Sequence, residues 1–269
     1  MATYSEYSNV VNAMTFETET QTLLARASSA PSAALAALIN TTIKGLKDDG
    51  VFAKGDCLYV RGVHESTLAL QNWIKNAHNG TLSATAPVFT AKEGFKGGTN
   101  KYINNNYNPY TQGDKFTLTS ETIAMMATEI GGTNATNPLG STTTVGGNRF
   151  IYMNYRTANT EQMYMGVSAT ANGYANLTAG KYLTYTKTGN TVLHYEDGTA
   201  YGFSQAVTNA DQLPDTNMYE LAYSAAGTPV GYWDGELAFT FYGGYLNGAE
   251  TDALYDRVKY FFDNVGGTF

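Results

Sequence analysis

Hydrophobic residues recur with a helical period near the start of the chain. Apolar residues three or four positions apart form one buried helical face, at Leu35, Leu38, Ile39, Ile43 and Leu46. Pro31 and Ser32 favour a helix start before this run, and Gly50 favours a stop after it. The pattern therefore predicts a helix between Ser32 and Gly50.

Two further segments have helical spacing. Residues 65–76 are predicted to form a helix that turns Leu68, Trp73 and Ile74 inward. Residues 250–264 are predicted to form another, with Gly266 and Gly267 after its end. The buried face of this last helix comprises Leu254, Val258, Phe261 and Phe262.

From residue 84 onward the pattern changes to short runs separated by glycine and asparagine. Several runs alternate apolar and polar residues, which is typical of half-buried strands. The predicted strands are 88–90, 115–118, 122–130, 150–155, 163–167, 182–186, 192–195, 218–223 and 237–242. Turn signals separate them at 131–132, 146–148, 189–190 and 197–198. Strands without intervening helices predict an antiparallel β-sandwich.

Together these patterns predict a mainly β fold, an antiparallel jelly-roll sandwich with N-terminal helices and a C-terminal helix. We expect an arm or docking segment over residues 1–31, a helical segment over 32–83, a sandwich over 84–247, and a C-terminal helix of the same domain over 248–269. Residues 1–7 have neither a basic nor an apolar stretch, so a secretory signal is not expected.

The composition excludes several classes of function. Only 14% of the 269 residues are charged, against roughly 25% in an average soluble domain, and the net charge of -7 disfavours nucleic-acid binding. No apolar run reaches the length of a membrane span. The chain is instead rich in Thr (37), Asn (23) and Tyr (21). Its one cysteine, Cys57, excludes an internal disulfide and is expected to be buried.

A series of short segments occurs in a characteristic order from about residue 35 to the end. They are GLKDDGVF at 45–52, CLYV at 57–60, NWIKN at 72–76, FTAKEGFKG at 89–97, YINNNYNP at 102–109, ELAFTFYGG at 236–244 and ALYDRV at 253–258. Their order resembles phage-encoded virion proteins with a laminin-G-like or concanavalin-A-like jelly-roll domain. The resemblance implies a structural protein of a tailed phage, such as a tail fibre or capsid-associated protein.

No residue pattern predicts catalysis or a metal site. Glycosidases of this fold place two carboxylates close together, and the alternating Glu-x-Asp-x-Glu triplet that would do so is absent. Glu196 and Asp197 fit a hairpin turn better. The three histidines lie far apart, and His194 is expected at an exposed strand position. No cofactor is expected; Ca²⁺ binding stays open without a supporting motif.

Tyrosine and asparagine make the best candidate for a binding site. Aromatic rings can stack on sugars, and amides can bond to hydroxyl groups. The candidate carbohydrate-binding residues are Tyr102, Tyr107, Tyr110, Asn106, Trp233 and Asp234. The alternatives without a ligand are that these tyrosines form subunit contacts or are half-buried strand residues. For Asp234 the alternative is a position in a connecting turn.

The favoured hypothesis is a non-enzymatic structural component on the surface of a tailed phage virion, made in the host cytoplasm. Residues 1–31 would bind another virion protein, and the protein would form a homo-oligomer, with a trimer expected for a fibre or decoration. The alternative is a receptor-binding lectin for glycans of the bacterial surface. A polysaccharide hydrolase ranks last.

Overall fold

The computed structural model describes residues 16–131, 136–143, 149–156, 160–167, 172–175 and 181–266. The helices are α1 (Thr18–Leu24), α2 (Ala33–Asp48), α3 (Ser66–Ala69), α4 (Pro109–Gln112) and α5 (Gly248–Val265), with a short 3₁₀ turn at Phe52–Lys54. The predicted turn at 146–148, Gly132, Gly267 and residues 1–15 lie outside the described residues.

Most of the described chain is β-structure. The strands in the first half are β1 (Gly55–Val60), β2 (Thr81–Leu82), β3 (Val88–Thr90), β4 (Gly94–Lys96), β5 (Ile103–Asn104), β6 (Ser120–Glu129), β7 (Thr136–Thr143) and β8 (Arg149–Arg156). Those in the second half are β9 (Thr160–Val167), β10 (Asn172–Ala175), β11 (Tyr182–Thr188), β12 (Thr191–Glu196), β13 (Thr199–Ala206), β14 (Tyr219–Glu220), β15 (Tyr223–Ala225), β16 (Thr228–Val230) and β17 (Glu236–Gly243).

The described strands form two sheets. Sheet A has eight strands in the order β13-β12-β11-β6-β17-β4-β3, and β1 pairs with β17 beside β4. Sheet B has nine strands in the order β10-β9-β8-β7-β14-β5-β2, with the β15–β16 hairpin attached to β7. Pairing is antiparallel apart from β15 with β7. The mainly β jelly-roll sandwich predicted from the sequence is confirmed, with this one parallel pair.

Sheet A is covered on both faces, so the molecule has three layers. Thr240 of β17 reaches Glu220 in sheet B. The neighbouring Phe239 instead packs against Tyr182, which also contacts Tyr255 of α5. All eight residues of β17 are buried. Among the described residues, the outer face of sheet B carries side chains that are exposed or partly exposed, such as Thr81, Tyr102 and Asn104.

The two long helices begin and end within two residues of the predicted positions. The Ser32 side chain accepts a hydrogen bond from the Leu35 amide and caps α2. Asn247 and Glu250 form a reciprocal capping box at the start of α5. Gly266 ends α5 with a φ of 79°, a conformation that a residue with a side chain rarely adopts.

The predicted helix over 65–76 is wrong beyond its first turn. Only Ser66–Ala69 is helical, although Leu68 and Trp73 are buried as expected. The Asn72 side chain accepts hydrogen bonds from the Leu58 and Ile74 amides and donates to two backbone carbonyls. The backbone after residue 70 is therefore bound to β1 by side-chain and loop bonds, which compete with helical ones.

Two predicted strands differ for a similar reason. Residues 115–118 form only a bridge between Thr117 and Ser120, because the Asp56 carboxylate takes the amides of residues 114–116. The run at 218–223 is broken at Leu221, which has a φ of 63°. Conversely, the stretch expected to be helical before residue 84 contributes β1, which pairs with β17.

Residues 16–31 pack on the helical layer. Leu23 and Thr20 of α1 are fully buried. The Glu17 amide donates to Asn40 Oδ1 at 2.8 Å, and Lys47 of α2 forms ion pairs with Glu17 and Glu19. This part of the expected arm is therefore an integral layer of the fold.

Cys57 is buried as predicted, and burial raises the pKa of its thiol. The expectation that His194 is exposed is wrong, since only 1% of its surface reaches solvent. Its ring stacks on Tyr185 with 4.4 Å between centroids, across the β11–β12 pair. This burial lowers the pKa of His194 to about 3. His194 lies opposite Tyr185, on the face from which Lys187 reaches the Met165 carbonyl of sheet B. The side chain therefore points between the two sheets, which strand alternation alone does not reveal.

Candidate functional site

A row of polar and aromatic residues crosses the outer face of sheet B. Strand pairing sets Thr81 opposite Asn104, Asn104 opposite Tyr219, and Tyr219 opposite Gly140. Residues directly opposite on paired strands share a face. The adjoining positions Ile103, Glu220 and Leu139 are fully buried, so the row points away from the core.

The centre of this row is a stacked pair of tyrosines. The rings of Tyr102 and Tyr219 lie 4.9 Å apart with 28° between their planes. Tyr219 is 7% exposed, and its hydroxyl donates to the Gly227 carbonyl in the β15–β16 turn. Burial, with Tyr102 as a further cause, raises the pKa of Tyr219. Tyr102 is partly exposed, so it is the ring of this pair that a ligand can reach.

Asparagine side chains border the tyrosine pair. Asn106 donates through Nδ2 to the Asn79 carbonyl and to Thr81 Oγ1, both at 2.8 Å. Its amide donates to Asn104 Oδ1 at 2.9 Å. Within the described part of the chain, Asn104 Nδ2 and Asn106 Oδ1 have no hydrogen-bond partner. The same surface that carries Tyr102 thus presents one donor, on Asn104, and one acceptor, on Asn106, held by the other hydrogen bonds of the two side chains.

We call this surface the tyrosine–asparagine face and define it as Thr81, Tyr102, Asn104, Asn106 and Tyr219. All five residues are uncharged. An aromatic ring beside a few fixed polar groups is the composition expected of a small-molecule binding surface. Its chemistry suits a ligand that has both an apolar face and hydroxyl groups.

The loop next to this face is held in an unusual backbone conformation. His78 and Asn106 have φ angles of 59° and 51°. The His78 Nδ1 group donates to the Asn106 carbonyl at 3.0 Å, and burial lowers the pKa of His78. Left-handed residues with side chains persist only where their surroundings fix them. The loop that contains His78 and the loop that contains Asn106 therefore constrain each other.

A cluster of charged side chains lies on the inner side of this face. Arg61 binds Glu220 at 2.8 Å, and neither side chain is exposed. Asn105 accepts from Arg61 and donates to Glu220, while Thr240 also donates to Glu220. Asn104 and Tyr219 therefore belong to a neutral outer surface. Their sequence neighbours Asn105 and Glu220 belong to a buried ionic cluster.

Two of the predicted sugar-binding residues are core residues, and that part of the prediction is wrong. Tyr107 and Trp233 are both 0% exposed. The Tyr107 hydroxyl donates to Asp56 Oδ2 at 3.0 Å, and its ring stacks near Tyr242. Neither ring is accessible to a sugar, because other strands and loops of the protein pack against it. The prediction assumes that both rings are exposed.

The other predicted residues are at the surface. Tyr102 and Asn106 belong to the tyrosine–asparagine face. Tyr110 is 49% exposed on α4, near Arg149 and outside the row. Asp234 is exposed in the loop before β17, beside Gly131. Sequence analysis missed Tyr219, although alternation within its predicted strand separates it from Glu220.

The described residues contain no group of three His, Cys, Asp or Glu side chains arranged to hold a metal ion. None of the described helices is long and apolar enough to cross a membrane.

Comparisons with known proteins show the fold of this chain. No protein-family model matches it, and no curated protein matches its sequence. A structure of Trypanosoma rangeli sialidase in complex with sialic acid has a TM-score of 0.54 at 14% identity, covering 81% of this chain and 38% of that one. A mutant of the same sialidase displaying trans-sialidase activity also has a TM-score of 0.54 at 14% identity, covering 83% and 39%.

The CBM40 of Ruminococcus gnavus IT-sialidase matches 51% of this chain and 83% of that one, at 13% identity and a TM-score of 0.41. This chain spans less than half the length of the Trypanosoma sialidases. At such low identity the likeness shows a shared β-sandwich fold.

Proposed function

We propose that this protein binds glycans through the tyrosine–asparagine face. The observation that carries the proposal is the partly exposed Tyr102 ring, stacked on Tyr219 on the outer face of sheet B. Pyranose rings have apolar C–H faces that pack on aromatic rings, and their hydroxyl groups bond to amides. Asn104 Nδ2, two positions from Tyr102 on the same face, supplies a donor, and Asn106 Oδ1, on the residue that is bonded to Asn104 and Thr81, supplies an acceptor.

The fold comparison supports this proposal. The sialidase structure with which this chain shares a fold is a complex with sialic acid. We propose a carbohydrate ligand for this chain too, bound at the tyrosine–asparagine face. It favours the lectin hypothesis over the structural one.

We propose binding without turnover. Most glycosidases hydrolyse their substrates with a pair of carboxyl groups, and none of the five residues of the face is an acid. A binding protein is therefore expected to retain glycans without releasing reducing sugars. Release of reducing ends from a bound polysaccharide would contradict this part of the proposal.

A glycan array with the purified protein tests the proposal. Tyr102→Ala removes the stacking ring and is expected to weaken binding at least roughly tenfold, given about 1.5 kcal/mol for an aromatic contact. Tyr102→Phe keeps the ring and is expected to bind nearly as well. Tyr260→Ala is the matched control, because Tyr260 is 47% exposed on α5. Unchanged binding by Tyr102→Ala would contradict the proposed site.

The virion location stays a prediction that rests on the resemblance of residues 35 to the end. It includes binding of another virion protein by residues 1–31 and formation of a homo-oligomer. Labelling of phage particles with an antibody to this chain, viewed by electron microscopy, tests it. Glycan binding and a place on a virion are compatible, since a lectin on a particle surface would be a receptor-binding protein.

A further inference from the structure

A single arginine connects the N-terminal helix to the loop beside the tyrosine–asparagine face. Arg26 follows α1, and its Nη1 group lies 3.1 to 3.2 Å from the side-chain oxygens of Gln71, Asn76 and Asn79. Its Nη2 group donates to the Asn72 carbonyl at 2.9 Å. One guanidinium therefore binds four residues of the 71–79 segment, which has no regular secondary structure of its own.

These contacts continue directly into the face. Asn79 takes the Arg26 hydrogen bond at Oδ1, and its carbonyl accepts from Asn106 Nδ2 at 2.8 Å. Asn106 in turn fixes Thr81 and Asn104. The path from α1 to the site thus passes through consecutive hydrogen bonds of Arg26, Asn79 and Asn106.

The loop needs such a constraint. His78 and Asn106 adopt left-handed φ angles, which are unfavourable for residues with side chains unless surrounding contacts fix them. A loop that samples other conformations must be ordered when a ligand binds, and this lowers the affinity. The planar guanidinium holds several acceptors at once, which a lysine ammonium cannot do in the same geometry.

From these contacts we infer that Arg26 is a positioning residue for the tyrosine–asparagine face, because its guanidinium orders the 71–79 segment and, through Asn79 and Asn106, the binding surface. This inference rests on the proposed function for its ligand. It also predicts a property of the free protein, namely the order of residues 78–81 and 104–106.

Two variants of the full chain test the inference. Arg26→Met keeps the apolar stem and removes the donors. Lys47→Met is the matched control, because Lys47 tethers the same N-terminal segment through Glu17 and Glu19 without contacting the loop. Hydrogen–deuterium exchange of residues 78–81 and 104–106 is measured in the free proteins, and affinity is measured with the strongest glycan from the array.

Arg26→Met is expected to raise the exchange rate of these amides about tenfold and the glycan Kd roughly three- to tenfold. Lys47→Met is expected to leave both unchanged. If Arg26→Met proves too unstable, Arg26→Lys provides the same test and is expected to give an intermediate loss. Equal effects of the Arg26 and Lys47 variants, or unchanged exchange in the Arg26 variant, would overturn the inference.

The exchange measurement also separates the two proposals. If the wild type binds no glycan, the proposed function fails, while faster exchange in Arg26→Met still supports positioning. If the wild type binds and Arg26→Met has both native exchange and native affinity, the positioning role fails while the proposed function stands.

Discussion

The inner and outer sides of strands β5 and β14 have opposite chemistry, although their residues are sequence neighbours. On the inner side, Asn105 and Glu220 join Arg61 in an ionic cluster without solvent exposure. On the outer side, Asn104 and Tyr219 form part of an uncharged surface. Strand alternation sends adjacent residues to opposite faces.

This difference explains how a chain with few charges uses them. A buried charge is tolerated only when a partner and further hydrogen bonds satisfy it. Arg61 donates to Glu220, Asn105 and the Ala69 carbonyl, and it also lies over the Tyr59 ring at 4.2 Å. The outer face, by contrast, offers amides, hydroxyls and rings with little charge to desolvate. Such a surface suits an uncharged ligand.

The largest effect is expected from breaking the inner cluster. Glu220→Ala leaves the Arg61 guanidinium buried without its carboxylate and should reduce the free energy of unfolding by about 3–5 kcal/mol. Chemical denaturation measures this loss.

The double variant Arg61→Met with Glu220→Leu removes both charges and should be more stable than the single variant, since apolar pairs often replace buried ion pairs well. A loss below about 1 kcal/mol in Glu220→Ala would show that the cluster is hydrated and that the contrast between the two sides is overstated.

A second buried ion pair tests which effect determines the charge of a carboxyl group on the inner side of a sheet, the loss of solvent on burial or the pairing with a lysine. Glu121 and Lys187 are opposite each other on β6 and β11, 2.8 Å apart and without exposure. Burial raises the pKa of Glu121 from 4.5 to about 7, although Lys187 opposes the shift. The native protein therefore keeps this proton at pH values where the unfolded chain has lost it.

The sign of the pH dependence follows from that difference. The stability contributed by protonated Glu121 is complete below pH 4.5 and is lost as the pH rises towards about 7. Glu121→Gln lacks this titration, so its free energy of unfolding should gain on that of the wild type over this window, by on the order of 1–3 kcal/mol.

Comparing the two proteins at each pH is necessary because another group acts in the opposite direction. The lowered pKa of His194 makes the native state less stable as the pH falls below 6.5. This contribution is common to the wild type and Glu121→Gln and cancels in their difference. A difference that stays constant between pH 4.5 and 7 would mean that the ion pair outweighs burial.

The sequence predicts the long elements of this fold because their patterns are complete within the element. The faces of α2 and α5, and the alternation of β8, identify buried sides without knowledge of neighbours. The predicted helix at 65–76 fails because Asn72 binds the backbone of β1. Such bonds join segments that are separated in the sequence, and a local pattern does not show that these segments lie close together in the fold.

The tyrosine–asparagine face, our proposed binding site, is predictable only in part for the same reason. The tyrosine- and asparagine-rich stretch around Tyr102 correctly indicates a polar aromatic surface. Tyr107 is buried because its hydroxyl reaches Asp56, about fifty positions earlier in the chain. Tyr219 joins Tyr102 only through the pairing of β5 with β14. Composition identifies the kinds of residue, and sheet register selects which of them form the site.

The smallest effect is expected at Tyr110, which marks how far the outer surface extends. Tyr110 is 49% exposed and lies outside the row of the tyrosine–asparagine face. Tyr110→Ala should change the free energy of unfolding by less than about 0.5 kcal/mol, as for most surface substitutions. The glycan Kd should also stay within about twofold of the wild-type value. Isothermal titration with the array's strongest glycan measures this. A loss as large as that of Tyr102→Ala would instead extend the site to α4 and bring the charged Arg149 into contact with the ligand, so that the uncharged outer surface would no longer describe the binding site.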